Sequence, residues 1–362
     1  MIVAKFGGSS LADVGCFERV ISIIKNNGIK VVLVSAPGGK IKITDLLISA
    51  YRAWEESGRV ECDELELAFD RLKGIAQNVG LKIDSRISSI RSAINGGAGY
   101  DYTVSRGEYL TAKILASALN YNFVDALDCV KLTMDGEVDL RSTIAHSEAI
   151  KLPCVIPGFY GKMPSGLIKL LPRGGSDISG AAIAAAVGDE YQKWTDVDGV
   201  FDGHGGVIKN LSYDEAERLC YFGASVMHYK SMALLKGRGV RLTVKNTFSE
   251  AKGTVIGSNP CAGYAISSKE MYLSKGVPLI ELRSIIQQGL KIPFYAKLMG
   301  SERALIDGNG FSPLALSRIL TCDGIERVTA TATVGKAPPL TANGDLLFRD
   351  EIGEIYLSAL ST

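Results

Sequence analysis

The 362-residue sequence predicts an α/β protein with a mainly parallel sheet over residues 1–257, followed by a small α+β domain over residues 263–362. Three observations lead there. At about 150 residues per domain, the length calls for two domains or three. Residues 1–200 alternate short β-branched runs with amphipathic helical stretches, the pattern of βαβ units. Turn residues then cluster at Gly257-Ser258-Asn259-Pro260, beyond which the Gly-Gly turns stop.

The first unit sets the pattern. Ile2–Phe6 and Lys30–Val34 read as strands buried on both faces, and between them Leu11, Phe17, Val20, Ile21 and Ile24 recur at helical spacing over Leu11–Asn26. Thr44–Trp54, Glu64–Val79 and Ile83–Ile94 follow as helices, the last stopped by Asn95-Gly96-Gly97. Ser105-Arg106-Gly107-Glu108 is expected to open a helix that runs to Leu119. Asn122–Asp125, Cys154–Pro157 and Leu167–Leu171 read as short strands, Asp177–Val187 as an Ala-rich helix, and Tyr191–Thr195 and Val240–Thr247 as further strands. Past the boundary, helices are expected at Leu279–Gln288 and Pro313–Thr321, and strands at Arg303–Ile306 and Arg327–Val334.

Composition excludes several classes of function. Forty Lys and Arg against 39 Asp and Glu give a net charge of +1, which is no basic footprint for nucleic acid. The longest apolar run, Ala181–Val187, falls far short of the roughly 18 residues of a membrane span. The chain starts directly with Ile2-Val3-Ala4-Lys5-Phe6, so no signal peptide is expected. Seven scattered cysteines, without a CxxC or Cys/His cluster, point to a reducing cytoplasm rather than to disulfides or zinc. The three histidines, His146, His204 and His228, are far apart and are expected to be non-catalytic.

The chemistry is carried by glycine-rich turns. Lys5-Phe6-Gly7-Gly8-Ser9-Ser10 lies between a strand and a helix, where successive glycines present N–H groups to an anion and Lys5 adds a full charge. A Gly-Gly pair alone is an ordinary tight turn; the lysine before it and the serines after it point to a bound anion. The Walker spacing is absent, as is the GxGxxG dinucleotide fingerprint, and the second strand ends at Ser35-Ala36-Pro37 without an acidic residue for a ribose. Pro37-Gly38-Gly39-Lys40 follows the second strand, and Thr44 then starts a helix where its hydroxyl can cap or meet a ligand. Pro172-Arg173-Gly174-Gly175-Ser176-Asp177 opens the Ala-rich helix; Ser176 and Asp177 could serve as N-caps, and Arg173 suits a carboxylate or phosphate. Glu108 reads either as a first-turn carboxylate favoured by the helix dipole or as a partner for a substrate ammonium. Trp194-Thr195-Asp196-Val197-Asp198-Gly199 is not a calcium loop, because Val200 and Phe201 occupy the fifth and sixth positions, where a ligand and a glycine are needed. Three such turns at strand ends imply one crevice suited to phosphoryl transfer, which depends on positioning and charge.

In order along the chain stand Lys-Phe-Gly-Gly-Ser-Ser at 5–10, Ser-Arg-Gly-Glu at 105–108, Pro-Gly-Phe-Tyr-Gly at 157–161, Arg-Gly-Gly-Ser-Asp at 173–177 and Trp-Thr-Asp-Val-Asp-Gly at 194–199. Phe222-Gly223-Ala224, then Val226, Met227 and His228, and finally Lys245-Asn246-Thr247 follow. This ordered set resembles the aspartate kinases of the amino-acid kinase superfamily over residues 1–257. The resemblance implies a sandwich of helices around the sheet, MgATP and L-aspartate as substrates, magnesium held by the nucleotide phosphates, and 4-phospho-L-aspartate as product. It implies that Lys5 stabilises the transferred phosphoryl group, that Gly7, Gly8 and Ser9 cradle it, and that Asp177 orients Lys5. Thr44, Glu108, Phe159, Arg173 and Ser176 match the aspartate pocket, with Glu108 on the ammonium and Arg173 on a carboxylate; Thr195, Asp196 and Phe201 match the nucleotide site. A related carboxylate kinase on another amino acid, or a binding homologue without activity, are the alternatives.

Three departures from the family pattern stand out. Phe201-Asp202-Gly203-His204-Gly205-Gly206 is about six residues shorter than the usual nucleotide loop, and Ser225 stands where many members carry lysine. The C-terminal part resembles the family's paired ACT regulatory modules but supplies few evident strands. It is expected to form a homodimer contact, with weak or absent inhibition by lysine and threonine.

Overall fold

The computed structural model describes residues 1–58, 62–202, 205–224 and 226–262, and beyond them the strands 264–275, 296–298, 303–306, 325–335, 345–349 and 354–359. They divide into two compact units: Met1–Val200 with Val226–Ser258, and Phe201–Ser225 with Asn259–Thr362. The break after residue 258 coincides with the Gly-Ser-Asn-Pro turn. The segment Phe201–Ser225, which the sequence reading kept in the first domain, groups with the C-terminal strands.

In chain order the first unit begins with β1 (Ile2–Phe6), α1 (Val14–Asn26), β2 (Val31–Val34), α2 (Ile43–Ser57), α3 (Asp63–Asn78), α4 (Asp84–Asn95) and α5 (Tyr100–Leu119). It continues with β3 (Asn122–Phe123), α6 (Ala126–Cys129), α7 (Leu140–Ser147), β4 (Cys154–Pro157), β5 (Tyr160–Lys162), β6 (Ile168–Leu170), α8 (Gly175–Val187) and β7 (Glu190–Thr195). The second unit contributes β8 (Asn210–Ser212) and α9 (Tyr213–Tyr221) before the first resumes with α10 (Lys230–Lys236), β9 (Arg241–Asn246) and β10 (Thr254–Gly257). The remaining strands are β11 (Tyr264–Lys275), β12 (Ala296–Leu298), β13 (Arg303–Ile306), β14 (Ile325–Gly335), β15 (Asp345–Arg349) and β16 (Glu354–Ala359).

Within the first unit the sheet runs β3-β4-β2-β1-β7-β9-β10. Every pairing is parallel except the edge pair β9–β10. The alternation of side chains decides what each face meets. Ala4, Phe6, Val32, Val34 and Trp194 join the apolar core built with α1, α2, α3, α4 and α5. Lys5, with the opposite parity on β1, faces α8, which packs on β1 and β7. Helices on both faces explain why β1 and β2 are buried runs rather than half-polar alternations.

Several element limits differ from expectation for identifiable reasons. The expected Leu11–Asn26 helix is split: Ser9–Leu11 forms a 3₁₀ turn, and Asp13 caps α1 by accepting from the Cys16 N–H at 2.8 Å. Helix α5 starts at Tyr100, after Gly99 at φ +86°, so Ser105-Arg106-Gly107-Glu108 lies inside it rather than at its start. Glu108 is therefore not a first-turn carboxylate. Helix α8 is capped by Gly174 at φ +84°, so Ser176 and Asp177 are not caps either.

In the second unit Ser212 and Glu215 form a capping box that starts α9, and α9 packs on β11 and β14. The strands order β12-β13-β11-β14-β16-β15, all antiparallel. The expectation of few strands is corrected here. Small residues hide the period-2 pattern: on β14 Val328, Ala330, Ala332 and Val334 are buried, with Thr329 and Thr331 between them. The expected helices Leu279–Gln288 and Pro313–Thr321 lie outside the described residues. Among the described residues no helix is long and apolar enough to cross a membrane.

Candidate active site

The first unit's strand order changes direction at β1, with β2 on one side and β7 on the other. In a parallel α/β sheet this leaves a crevice beyond the carboxyl ends of the strands. Gly7 and Gly8 leave β1 there. The Gly7 N–H donates to the Trp194 carbonyl at 3.0 Å, so it is not available to an anion, contrary to the sequence-based expectation for all three residues of the turn. Gly8 and Ser9 stand at the start of the 3₁₀ turn. Ser10 is turned inward, 2.6 Å from the Thr247 hydroxyl.

Behind the turn sits a buried charge cluster. Lys5 Nζ donates to Asp177 Oδ1 at 2.7 Å, and Lys193 Nζ donates to Asp177 Oδ2 at 2.7 Å. All three side chains are nearly inaccessible. Lys5 and Lys193 are direct partners in the parallel β1–β7 register, which puts both on the α8 face of the sheet. Burial alone would raise the Asp177 carboxyl, but Lys193 and Lys5 overcome it and hold Asp177 well below the usual carboxylate range. Burial lowers the Lys5 ammonium below its ordinary value, against the opposing pull of Asp177. The sequence reading missed Lys193. Its signal was a cation between Tyr191 and Trp194 in a strand otherwise destined for burial.

Glu108 lies on α5, within electrostatic reach of Lys5. Gly107 lets α5 approach the turn after β2 closely: a Cβ there would lie 2.8 Å from the Ala36 Cβ and 3.1 Å from Ile43 Cγ2. The Glu108 carboxylate is buried near the Ala36 backbone amide, and its Oε2 has no hydrogen-bond partner. Burial pushes its carboxyl up to about 7, although the Ala36 amide, Lys5 and Arg106 pull the other way. Arg106 is stacked between Tyr102 and Tyr109, at 4.2 and 4.5 Å from their ring centres, and so fixes the helix rather than a ligand.

The remaining expected residues fall into four places. Gly158 abuts the Ser176 side chain, where a Cβ would lie 2.9 Å from the Ser176 Cβ. Phe159 follows at φ +77°, its N–H on Ser179 Oγ at 3.2 Å, so Phe159 and Ser176 come together at the start of α8. Strain of this kind costs about 1–3 kcal/mol and concentrates at functional sites. Arg173 is exposed just before α8, which follows the β5–β6 hairpin rather than a strand of the main sheet. Thr44 is half-buried in the first turn of α2, capped at Lys42 without a side-chain bond; its neighbour Ile43 is the residue that meets Gly107. At the end of β7 the Thr195 carbonyl accepts from the Thr247 N–H at 2.7 Å, and Thr195 Oγ1 donates to Asp196 Oδ1 at 3.1 Å. Phe201 belongs to the second unit and is bridged to Val207, and the Asp202 N–H donates to the Gly206 carbonyl at 2.9 Å. His146 bonds locally to the Ser142 carbonyl, and His228 packs over Gly174.

The model of the amino acid kinase family matches residues 1–246. The chain belongs to that family. Among solved structures, this amino acid kinase is similar to the aspartate kinase of Clostridium acetobutylicum, with a TM-score of 0.75, 28% identity, and 99% of this chain and 96% of that chain covered. Its fold also matches E. coli aspartokinase III, described in complex with aspartate and ADP, at a TM-score of 0.77 and 19% identity, covering 99% and 96% of the two chains. Among curated relatives, the chloroplastic aspartokinase 1 of Arabidopsis thaliana is 29% identical over 82% of this chain and 58% of its own length. Aspartokinase 3 of Bacillus subtilis is 29% identical over 76% of this chain and 69% of its own. The chain thus spans less than two thirds of the Arabidopsis relative.

Proposed function

We propose that this amino acid kinase is an aspartate kinase, transferring the γ-phosphoryl group of MgATP to the β-carboxylate of L-aspartate. The observation that carries the reading is Glu108: a buried carboxylate with one unpartnered oxygen, within electrostatic reach of the Lys5 cluster. Such a group answers an ammonium held beside a phosphoryl site. The similarity to aspartate kinases supplies the acceptor.

The chemistry then needs little from the protein beyond placement and charge. A β-carboxylate oxygen, already ionised at neutral pH, forms the new O–P bond. The bond from the γ-phosphorus to the bridging oxygen breaks, and ADP leaves with the electron pair. No proton is moved. Lys5 stabilises the negative charge on the transferring group, and Asp177 holds Lys5 in place. Gly8 and Ser9 offer backbone N–H groups to the same phosphate. Glu108 takes the substrate ammonium and Arg173 the α-carboxylate, with Thr44, Phe159 and Ser176 closing the pocket. Thr195 and Asp196 are assigned to the nucleotide, and magnesium enters on its phosphates. The product, 4-phospho-L-aspartate, suits biosynthesis toward lysine and threonine. The C-terminal strands are assigned to a homodimer contact, and the free cysteines suit the cytoplasm.

Incubation with MgATP and a panel of amino acids, with the acyl phosphate trapped by hydroxylamine, tests this. Trapping with aspartate well above every other acceptor is expected. No trapping, or preference for another amino acid, overturns the reading.

A further inference from the structure

We propose that Lys193 is a positioning residue for phosphoryl transfer: it occupies the second oxygen of Asp177 and leaves the charge of Lys5 uncancelled for the phosphate. The proposal rests on the reading of the site as a phosphoryl-transfer centre.

The argument is one of charge count and register. A buried lysine paired alone with a buried aspartate is neutral as a pair and offers little to an anion. Here one carboxylate serves two ammonium groups, each at 2.7 Å and each on its own oxygen. The cluster therefore carries a net positive charge inside the protein, where an electrostatic interaction is far less screened than in water. A buried surplus charge is costly unless something compensates it. Among the described residues the charged groups felt by Lys5 are Asp177 on α8, Lys193 on β7 and Glu108 on α5. Glu108, with its carboxyl pushed up to about 7, compensates only in part at neutral pH. The missing partner is an anion, and the γ-phosphate is the anion this crevice is assigned to receive.

The geometry also explains why a lysine serves at this position. Lys5 and Lys193 are paired in register on adjacent parallel strands. The first turn of α8 sets Asp177 over the pair, so the two lysines fix its carboxylate from both sides. With one side open, the carboxylate could rotate, and Lys5 would follow it. Lys193 thus acts through Asp177 and through its own field, without contact to the reacting atoms.

Lys193→Met removes the charge and keeps the length of the chain. The expected result is a fall in kcat of about tenfold or more with the KM for aspartate within about twofold, because the charge matters most in the transition state. Removing a neighbouring cation also lets Lys5 hold its proton longer, so the alkaline limb of the kcat profile should move to higher pH. Lys193→Arg keeps the charge and should leave that limb at or below its wild-type position. If Lys193→Met does not fold, the arginine variant alone decides, and an upward move of its limb overturns the proposal. Unchanged kcat in a folded Lys193→Met, or a loss of kcat with the limb unmoved, overturns it as well. Titration of lysine side chains labelled with carbon-13 at Cε reads Lys5 without any turnover. If wild-type protein phosphorylates no amino acid, the aspartate reading falls while this titration still tests Lys193: an upward shift of Lys5 in Lys193→Met supports it, and no shift overturns it.

Discussion

Gly38 donates its backbone N–H to the carbonyl of Gly8 at 2.7 Å, and the two glycines meet backbone to backbone. A Cβ on Gly38 would lie 2.8 Å from the Gly8 carbonyl carbon and 3.0 Å from the Ser9 nitrogen. Both glycine turns therefore owe their composition to each other as much as to a ligand. Gly38→Ala should destabilise the protein by about 1–3 kcal/mol through this overlap. It should also impair phosphate binding at the displaced Ser9. Chemical denaturation together with the KM for MgATP checks both effects.

Lys5→Met should remove most activity and leave the fold. Loss of one electrostatic donor of this sort costs about 10²–10³ in kcat. Steady-state kinetics on a variant with wild-type circular dichroism measures it, and wild-type kcat would remove Lys5 from the mechanism.

Glu108 makes a prediction about stability and pH. Its carboxyl titrates near 7 in the fold, against 4.5 in an unfolded chain. The native state binds this proton more tightly, so its contribution is fully present below about pH 4.5 and is lost as pH rises through 7. The loss amounts to about 3 kcal/mol. Glu108→Gln should thus match wild type in stability at low pH and exceed it near pH 8, while raising the KM for aspartate. Denaturant titrations at both pH values give the comparison; equal stability differences at the two would contradict the buried, unpaired carboxyl.

Arg173→Lys should act on substrate affinity. The charge stays, but the planar two-pronged contact to a carboxylate is lost. A rise of about tenfold in the KM for aspartate, equivalent to about 1.4 kcal/mol, is expected with kcat little changed. Unaltered KM would free Arg173 from the role of clamp.

The strands β1, β2 and β4 were legible because burial on both faces leaves a nearly continuous apolar run. The start of α5 was not, because Ser105-Arg106-Gly107 looks like a helix opening when a close approach to Ala36 is invisible. Gly107 was placed for packing and only thereby for function. Lys193 escaped notice for a related reason. A charge in a buried strand has meaning only once its partner is known, and Asp177 lies 16 residues away on another element. The small-residue strands β11 and β14 gave too little hydrophobic contrast to be read in full.

The Lys5–Asp177 pair closes a loop of 172 residues, and β1 is paired by β7, which follows α8 in the chain. On a ribosome, β1 emerges before α8 and β7 and must wait for most of its domain before its lysine finds a counter-ion. Until then one flank of β1 is an open strand edge with a buried-type cation on it. Contacts of such sequence separation slow folding, because chain entropy is lost before the contact is gained. The centre assigned to chemistry is then also a late seam of the domain, and a nascent chain cut short of α8 would have neither the seam nor the charge.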